Sequence, residues 1–199
     1  AYSEGFNPHL KFSLASALGV GVVSYTEFVE IELAEPMEVE KAALALDAAL
    51  PRGIRVLAAD AVDTHHAAMM SQAAGASYRV TLPYSADVSS AVAEFNAAPE
   101  LLFKKAAPKT KAKFKEIDVK FYIPQITAEQ TETETIFSFD CKITPTGSMK
   151  AVDLLNALNE QYGLALPVEM ADIERLRLYR NNKNGKPIPM LNSDAVTLG

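Results

Sequence analysis

From Tyr78 onward the apolar residues change their spacing in a fixed order, and few folds accept that order. Tyr78-Arg79-Val80-Thr81-Leu82 alternates as a strand, and Val88, Ala91, Val92 and Phe95 then recur at helical spacing behind Ser85, which can cap them. Strand signals return at Leu101 to Phe103 and at Ile117, Val119, Phe121 and Ile123, with Asp118, Lys120 and Tyr122 on the other side. A polar bend, Thr127 to Thr133, leads into Phe137, Phe139, Cys141 and Ile143, which alternate again. Val152, Leu155, Leu158 and Tyr162 form a second helical stripe, with Ser148 as cap and Gly163 as stop. Leu176 and Leu178 close the run as a strand, with Arg175, Arg177 and Tyr179 on its opposite face. Strand, helix, strand, strand, helix, strand is the order of a ferredoxin-like unit. Its antiparallel sheet carries helices on one face and leaves the other open to a partner.

The first half reads as a shortened version. Phe12 to Ala17 and Phe28 to Leu33 are expected as strands, Val29, Ile31 and Leu33 facing one way and Glu30 and Glu32 the other. Pro36 opens a helix with the stripe Val39, Ala42, Ala43, Leu46 and Leu50, stopped by Pro51 and Gly53, and Ile54 to Ala58 follows as a strand. Leu18-Gly19-Val20-Gly21 lacks the glycine fingerprint and following helix of a dinucleotide site. The expected chain is therefore α+β, with tandem ferredoxin-like units and a first unit that lacks its opening strand and helix. A partial unit spans 1–63, a linker 64–77, a second unit 78–182, and a C-terminal arm 183–199 docks Ile188, Met190 and Leu191 on the body.

With 199 residues, 49% of them apolar, the chain can bury a sizeable core. A net charge of −6 argues against a generally basic nucleic-acid coat but leaves local patches open. The lone cysteine, Cys141, rules out an internal disulfide and any iron–sulfur or zinc cluster held by cysteines, and it fits a cytoplasmic setting. Its alternation with Phe139 and Ile143 reads as a buried structural thiol. No apolar run is long enough for a bilayer, and no signal peptide opens the chain. The start at Ala1 without methionine is what a fragment would show.

Charge gathers in one place. Lys104, Lys105, Lys109, Lys111, Lys113, Lys115 and Lys120 lie within seventeen residues, and a field of this kind acts within a Debye length of roughly 8 Å. Pro108 and Thr110 put the middle on a projecting loop, where lysines either follow a phosphate backbone or simply keep the loop solvated. Lys111, Lys113 and Lys115 share parity with Ile117 and Val119, so a turn or bulge is required near Phe114 to Glu116. Arg175, Arg177 and Tyr179 offer phosphate contact and base stacking from the last strand, or else an ordinary wet face.

No catalytic constellation stands out. The candidate acid–base is His9, with Glu4, Asn7 and Lys11 close in sequence, and the alternative is that His9 and Asn7 bond the backbone of the turn. Adjacent His65 and His66, near Met69 and Met70, read as linker or interaction surface rather than as a metal site. Glu129, Glu132 and Glu134 read as solvation of the bend. Neither a metal nor a cofactor is expected.

The opening turn Tyr2-Ser3-Glu4-Gly5-Phe6-Asn7-Pro8-His9 with Lys11, the strand after it, Gly19 to Ser24 with Glu27-Phe28, and the lysine-rich stretch ending Lys115-Glu116-Ile117-Asp118 together resemble the uncharacterised radical-SAM-linked family. That domain is found beside or fused to B12-binding radical SAM proteins. The likeness runs from Ala1 to about Arg180, and Gly-Phe-Asn-Pro-His is its specific part. Members usually carry a further strand and helix before this block, and a proline where this chain has Leu10. The resemblance implies a radical SAM protein as partner and, more loosely, a role in tRNA or rRNA modification or processing. The expectation is an accessory module, not itself a radical SAM enzyme, that binds structured RNA or presents a substrate. An RNA-acting enzyme using His9 is one alternative. A protein-interaction scaffold using Ala67 to Ala76 and the open sheet, with no RNA bound, is another.

Overall fold

Two long strands lie side by side at the centre because their apolar residues alternate in step. The structure, a computed structural model, describes residues 3, 4, 6, 10–63, 65–106 and 113–198. In chain order the elements begin with β1 (Phe12–Leu14), β2 (Val22–Ser24), β3 (Val29–Ile31), α1 (Val39–Ala49), β4 (Ala58–Ala59) and α2 (Met69–Gln72). Then come β5 (Ala73–Pro83), α3 (Ser89–Ala97), β6 (Leu102–Ala106), β7 (Phe114–Asp118), α4 (Val119–Tyr122), β8 (Ile126–Gln130) and β9 (Glu134–Thr144). The chain closes with β10 (Gly147–Ser148), α5 (Ala151–Tyr162), β11 (Asp172–Asn181), β12 (Pro187–Pro189) and β13 (Val196–Thr197).

β5 pairs antiparallel with β9, setting Val80 beside Phe137, Tyr78 beside Phe139 and Ala76 beside Cys141. Tyr78 and Phe139 stack with centroids 5.6 Å apart. β8 joins the outer edge of β9 and β11 the other edge of β5, so the strands lie in the order β8, β9, β5, β11, all antiparallel. Val80, Leu82, Phe137, Phe139 and Cys141 meet Phe95 of α3 and Leu154, Leu155 and Leu158 of α5 in the main core. Burying each such side chain stabilises by roughly 1.5–3 kcal/mol.

β2 adds to β11 in parallel, and β12 pairs with it antiparallel, so the sheet is mixed. β1 pairs with β3 and β4 with β13, each as a separate two-stranded sheet. The first half thus has a β1–β3 pair, α1 and the short β4, and leans on the second half through β2. A smaller core of Ala15, Met69, Ala73, Ala76, Leu178 and Met190 joins them.

Several expected boundaries move. The expected strand Ile117 to Ile123 stops at Asp118, whose carboxylate accepts from the Lys120 and Leu101 amides at 3.0 and 3.2 Å and caps the single turn of α4. Val119 and Ile123, four apart, are both buried by that turn, while Phe121 is half exposed. The expected bend at Thr127 to Thr133 is mostly β8, because Ile126 and Ala128 pack on the core while Thr127 and Glu129 face away. Helix caps differ too. Val88, not Ser85, precedes α3, with Asp87 accepting from Ser89 N at 2.9 Å, and Ser148 belongs to β10 while Lys150 precedes α5. Gly163, at φ 64°, does stop α5. Pro36 precedes α1 by three residues rather than opening it, and the expected strand Ile54 to Ala58 shrinks to β4. Residues 73–77 of the expected linker are the first half of β5.

The last strand is bulged. Register with β5 slips between Arg175 and Arg177, so Arg175 lies beside Tyr78 and Arg177 beside Ser77. The single outward face expected for Arg175, Arg177 and Tyr179 is therefore split: Arg175 and Tyr179 are buried and Arg177 is exposed.

Candidate nucleic-acid interface

β6 and β7 form an antiparallel hairpin inserted between α3 and β8. Its root is apolar, with Phe103 buried and Ile117 packed against the main core. Lys105 and Lys115 lie opposite each other on the face shared with Phe103 and Ile117, and Lys104 lies opposite Glu116 on the other face. Like charges directly opposite destabilise a strand pair. Part of that cost is offset by Asp153 of α5, which accepts from Lys105 Nζ at 2.5 Å. Lys113 is exposed in the left-handed region, φ 59°, immediately before β7. The turn or bulge expected near Phe114 to Glu116 is not there: these residues run as regular strand, and Lys115 keeps the face of Ile117 because the pair ends in solvent at that point. Lys109 and Lys111 lie outside the described residues. Leu102 and Phe114, 52% and 60% exposed, put apolar surface beside Lys104. Lys120 serves the interior instead. It donates to Phe95 O at 2.9 Å and to Pro124 O at 2.5 Å, sits 4.4 Å from the Phe95 ring, and burial lowers its pKa.

The uncovered face of the sheet carries Arg79, Thr81, Ser138 and Glu174 around a depression of about 450 Å³, completed by Glu129, Glu134 and Ile136. Arg79 reaches Glu174 at 3.6 Å. Next to it Arg177 Nε donates to Ser77 Oγ at 2.8 Å, Ser77 bonds Asp140, and the guanidinium lies 5.7 Å from the Tyr179 ring. Four carboxylates against two guanidiniums make this face a poor match for phosphate. The hairpin and the open face are thus opposite in charge.

Arg175 is 2% exposed. Its guanidinium grips Glu27 and donates to Ser16 O at 3.1 Å and Ala17 O at 3.3 Å, so it braces the opening segment against β11. Tyr179 lies across Gly75, where an added Cβ would come within 2.3 Å of the phenol oxygen. Burial raises its pKa, and its ring is not presented for stacking.

The opening turn is only partly described. Gly5, Asn7, Pro8 and His9 lie outside the described residues. Ser3 is half-buried, Glu4 and Phe6 are exposed, and Lys11 pairs with Glu32 at 2.9 Å. Sequence reasoning missed the partner of His66. Its Nε2 meets Glu30, whose other oxygen accepts from Ser13 at 3.2 Å, and its Nδ1 lies 2.7 Å from Asp63 O. With an acceptor at each ring nitrogen the imidazolium is favoured, and the pKa rises, chiefly through the Asp63 carbonyl and then Glu30. The Glu27–Arg175 pair had a signal: Arg175 shares parity with Ile173, which is buried.

Cys141 is 1% exposed, and burial pushes its thiol up to about 11. Among the described residues no group of three or more His, Cys, Asp or Glu is arranged to hold a metal ion. No helix among them is long and apolar enough to cross a membrane.

No curated protein and no solved structure matches the chain. A family model does, over residues 1–153, that of an uncharacterized protein conserved in bacteria (DUF2344). With most of its length covered, including the opening turn, the sheet's first strands and the lysine hairpin, the chain belongs to this family, which is often found beside or fused to radical SAM proteins.

Proposed function

We propose that the chain is an accessory module, without chemistry of its own, that holds structured RNA beside a radical SAM protein in the cytoplasm. The β6–β7 hairpin carries this reading. It concentrates cations in an acidic protein, sets Lys105 against Lys115 at a cost that a bound phosphate would relieve, and exposes Phe114 on the other face with Lys104. The family's association with radical SAM proteins supports the partner. The order β8, β9, β5, β11, linked through α3 and α5, supports a ferredoxin-like reading of this part, with β6–β7 as an insertion and β1, β3 and α1 as a reduced repeat.

The test is retention of a structured RNA as salt is raised. Affinity should fall steeply with salt, and replacing Lys109, Lys111 and Lys113 by glutamate should abolish binding. Replacing Lys104 and Lys115 by alanine should flatten the logarithmic slope by about two. His9→Ala should bind unchanged. Salt-insensitive binding, or full affinity in the lysine variants, would sink the proposal.

A further inference from the structure

The β1–β3 pair leaves one apolar face uncovered. Its register sets Phe12 beside Ile31 and Leu14 beside Val29, and these four side chains, on one face, are 40–59% exposed. The opposite face is different in kind: Ser13 and Glu30 are half-buried there, tied to each other and to His66. Leu33, two residues beyond β3, continues the row at 45% exposure. A lone two-stranded sheet is marginal in water, and contiguous exposed apolar surface marks a contact site.

Charge says what would cover it. Between Lys11 and Lys41 the chain has six glutamates and no lysine, arginine or aspartate. Glu27, Glu30 and Glu32 are engaged by Arg175, His66 and Lys11, whereas Glu35, Glu38 and Glu40, which follow β3, are exposed and make no salt bridge among the described residues. Width says what shape fits. Two strands about 4.8 Å apart present a surface roughly 10 Å across, the diameter of one α-helix. A strand added at the edge would leave the apolar face wet.

We propose that this face docks an amphipathic helix of a partner protein, apolar on the side that meets Phe12, Leu14, Val29 and Ile31 and carrying lysine or arginine on the flank that meets the glutamates. A helix of about three turns, roughly 16 Å, spans the row. The inference rests on the reading that the chain works beside another protein, and it is independent of the lysine hairpin.

Two synthetic helical peptides test it, each with the same leucine stripe, one filled with lysine and the other with glutamate. The lysine peptide should bind and slow amide hydrogen exchange at Phe12–Leu14 and Val29–Ile31. The glutamate peptide and the Ile31→Glu variant should each bind at least about tenfold more weakly. Val29→Ser should weaken binding in the same direction, and Phe121→Glu, at an exposed apolar residue elsewhere, should leave it unchanged. Equal binding of both peptides, or binding that Ile31→Glu leaves intact, overturns the proposal. So does sedimentation showing that the free chain dimerises through this face. RNA retention by Ile31→Glu separates the two readings: unchanged RNA binding with lost peptide binding supports independent surfaces. Loss of RNA binding while the variant keeps its thermal midpoint counts against that independence.

Discussion

Three single residues carry consequences that reach beyond their own contacts. Gly75 has no room for a methyl group, because the Tyr179 ring occupies the position a Cβ would take, with its oxygen only 2.3 Å away. Gly75→Ala is expected to cost about 1–3 kcal/mol in denaturant unfolding, and Tyr179→Leu in the same chain should recover part of it. Cys141, pushed up to about 11 and buried, should resist alkylation at neutral pH in the native protein and react once it is unfolded. His66 has a folded-state pKa above its ordinary 6.5. Its contribution to stability is therefore complete below that value and disappears as pH rises through the higher folded one. An NMR titration should show the raised midpoint, and Glu30→Gln should lower it. Cys141 was legible from its alternation with Phe139 and Ile143. His66 was not, because its partner lies 36 residues away and no local pattern records such a pairing.

Among the elements, those set by burial on one face were legible and those set by a single polar side chain were not. The second half of β5, with β9, α3 and α5, follows from apolar spacing alone. The run Ile117 to Ile123 obeys period two and also the i, i+4 spacing of a helical turn, and it is the carboxylate of Asp118 that decides between them. β8 hid because its outward residues, Thr127 and Glu129, make a buried-edge strand look like a polar bend. The bulge in β11 was invisible for a related reason: an extra residue changes parity without changing composition, and it is what puts Arg177 on the opposite face from Arg175. The β6–β7 hairpin is held to α5 partly by Lys105–Asp153, with Asp153 only 10% exposed. Asp153→Asn should loosen it by on the order of 1 kcal/mol, seen as faster amide exchange across Leu102–Ala106. The lysine cluster itself was plain in the sequence. What the sequence did not say is that two of its members face each other across the pair.

At the scale of the whole molecule, the halves are joined less by a linker than by strands reaching across. β12 pairs with β11 and β13 with β4, so the C-terminal arm touches both parts, and Met190 is buried between them. Met190→Ala should cost about 2 kcal/mol or more, and truncation after Asn182 should lower the thermal midpoint further by removing both strands. The arm's docking could be anticipated from Ile188, Met190 and Leu191. The partners it chose could not, since β4 is two alanines with no pattern of their own.

The parallel contact of β2 with β11 has a further effect. Val22, Val23 and Ser24 find their places only against Ile173, Glu174 and Arg175, about 150 positions later, with Ser24 reaching the Arg175 carbonyl and Tyr25 the Glu174 carboxylate. Closing so long a loop is slow and comes late. On the ribosome, Val22–Ser24 must therefore wait, unanchored, until Ile173–Arg175 have emerged.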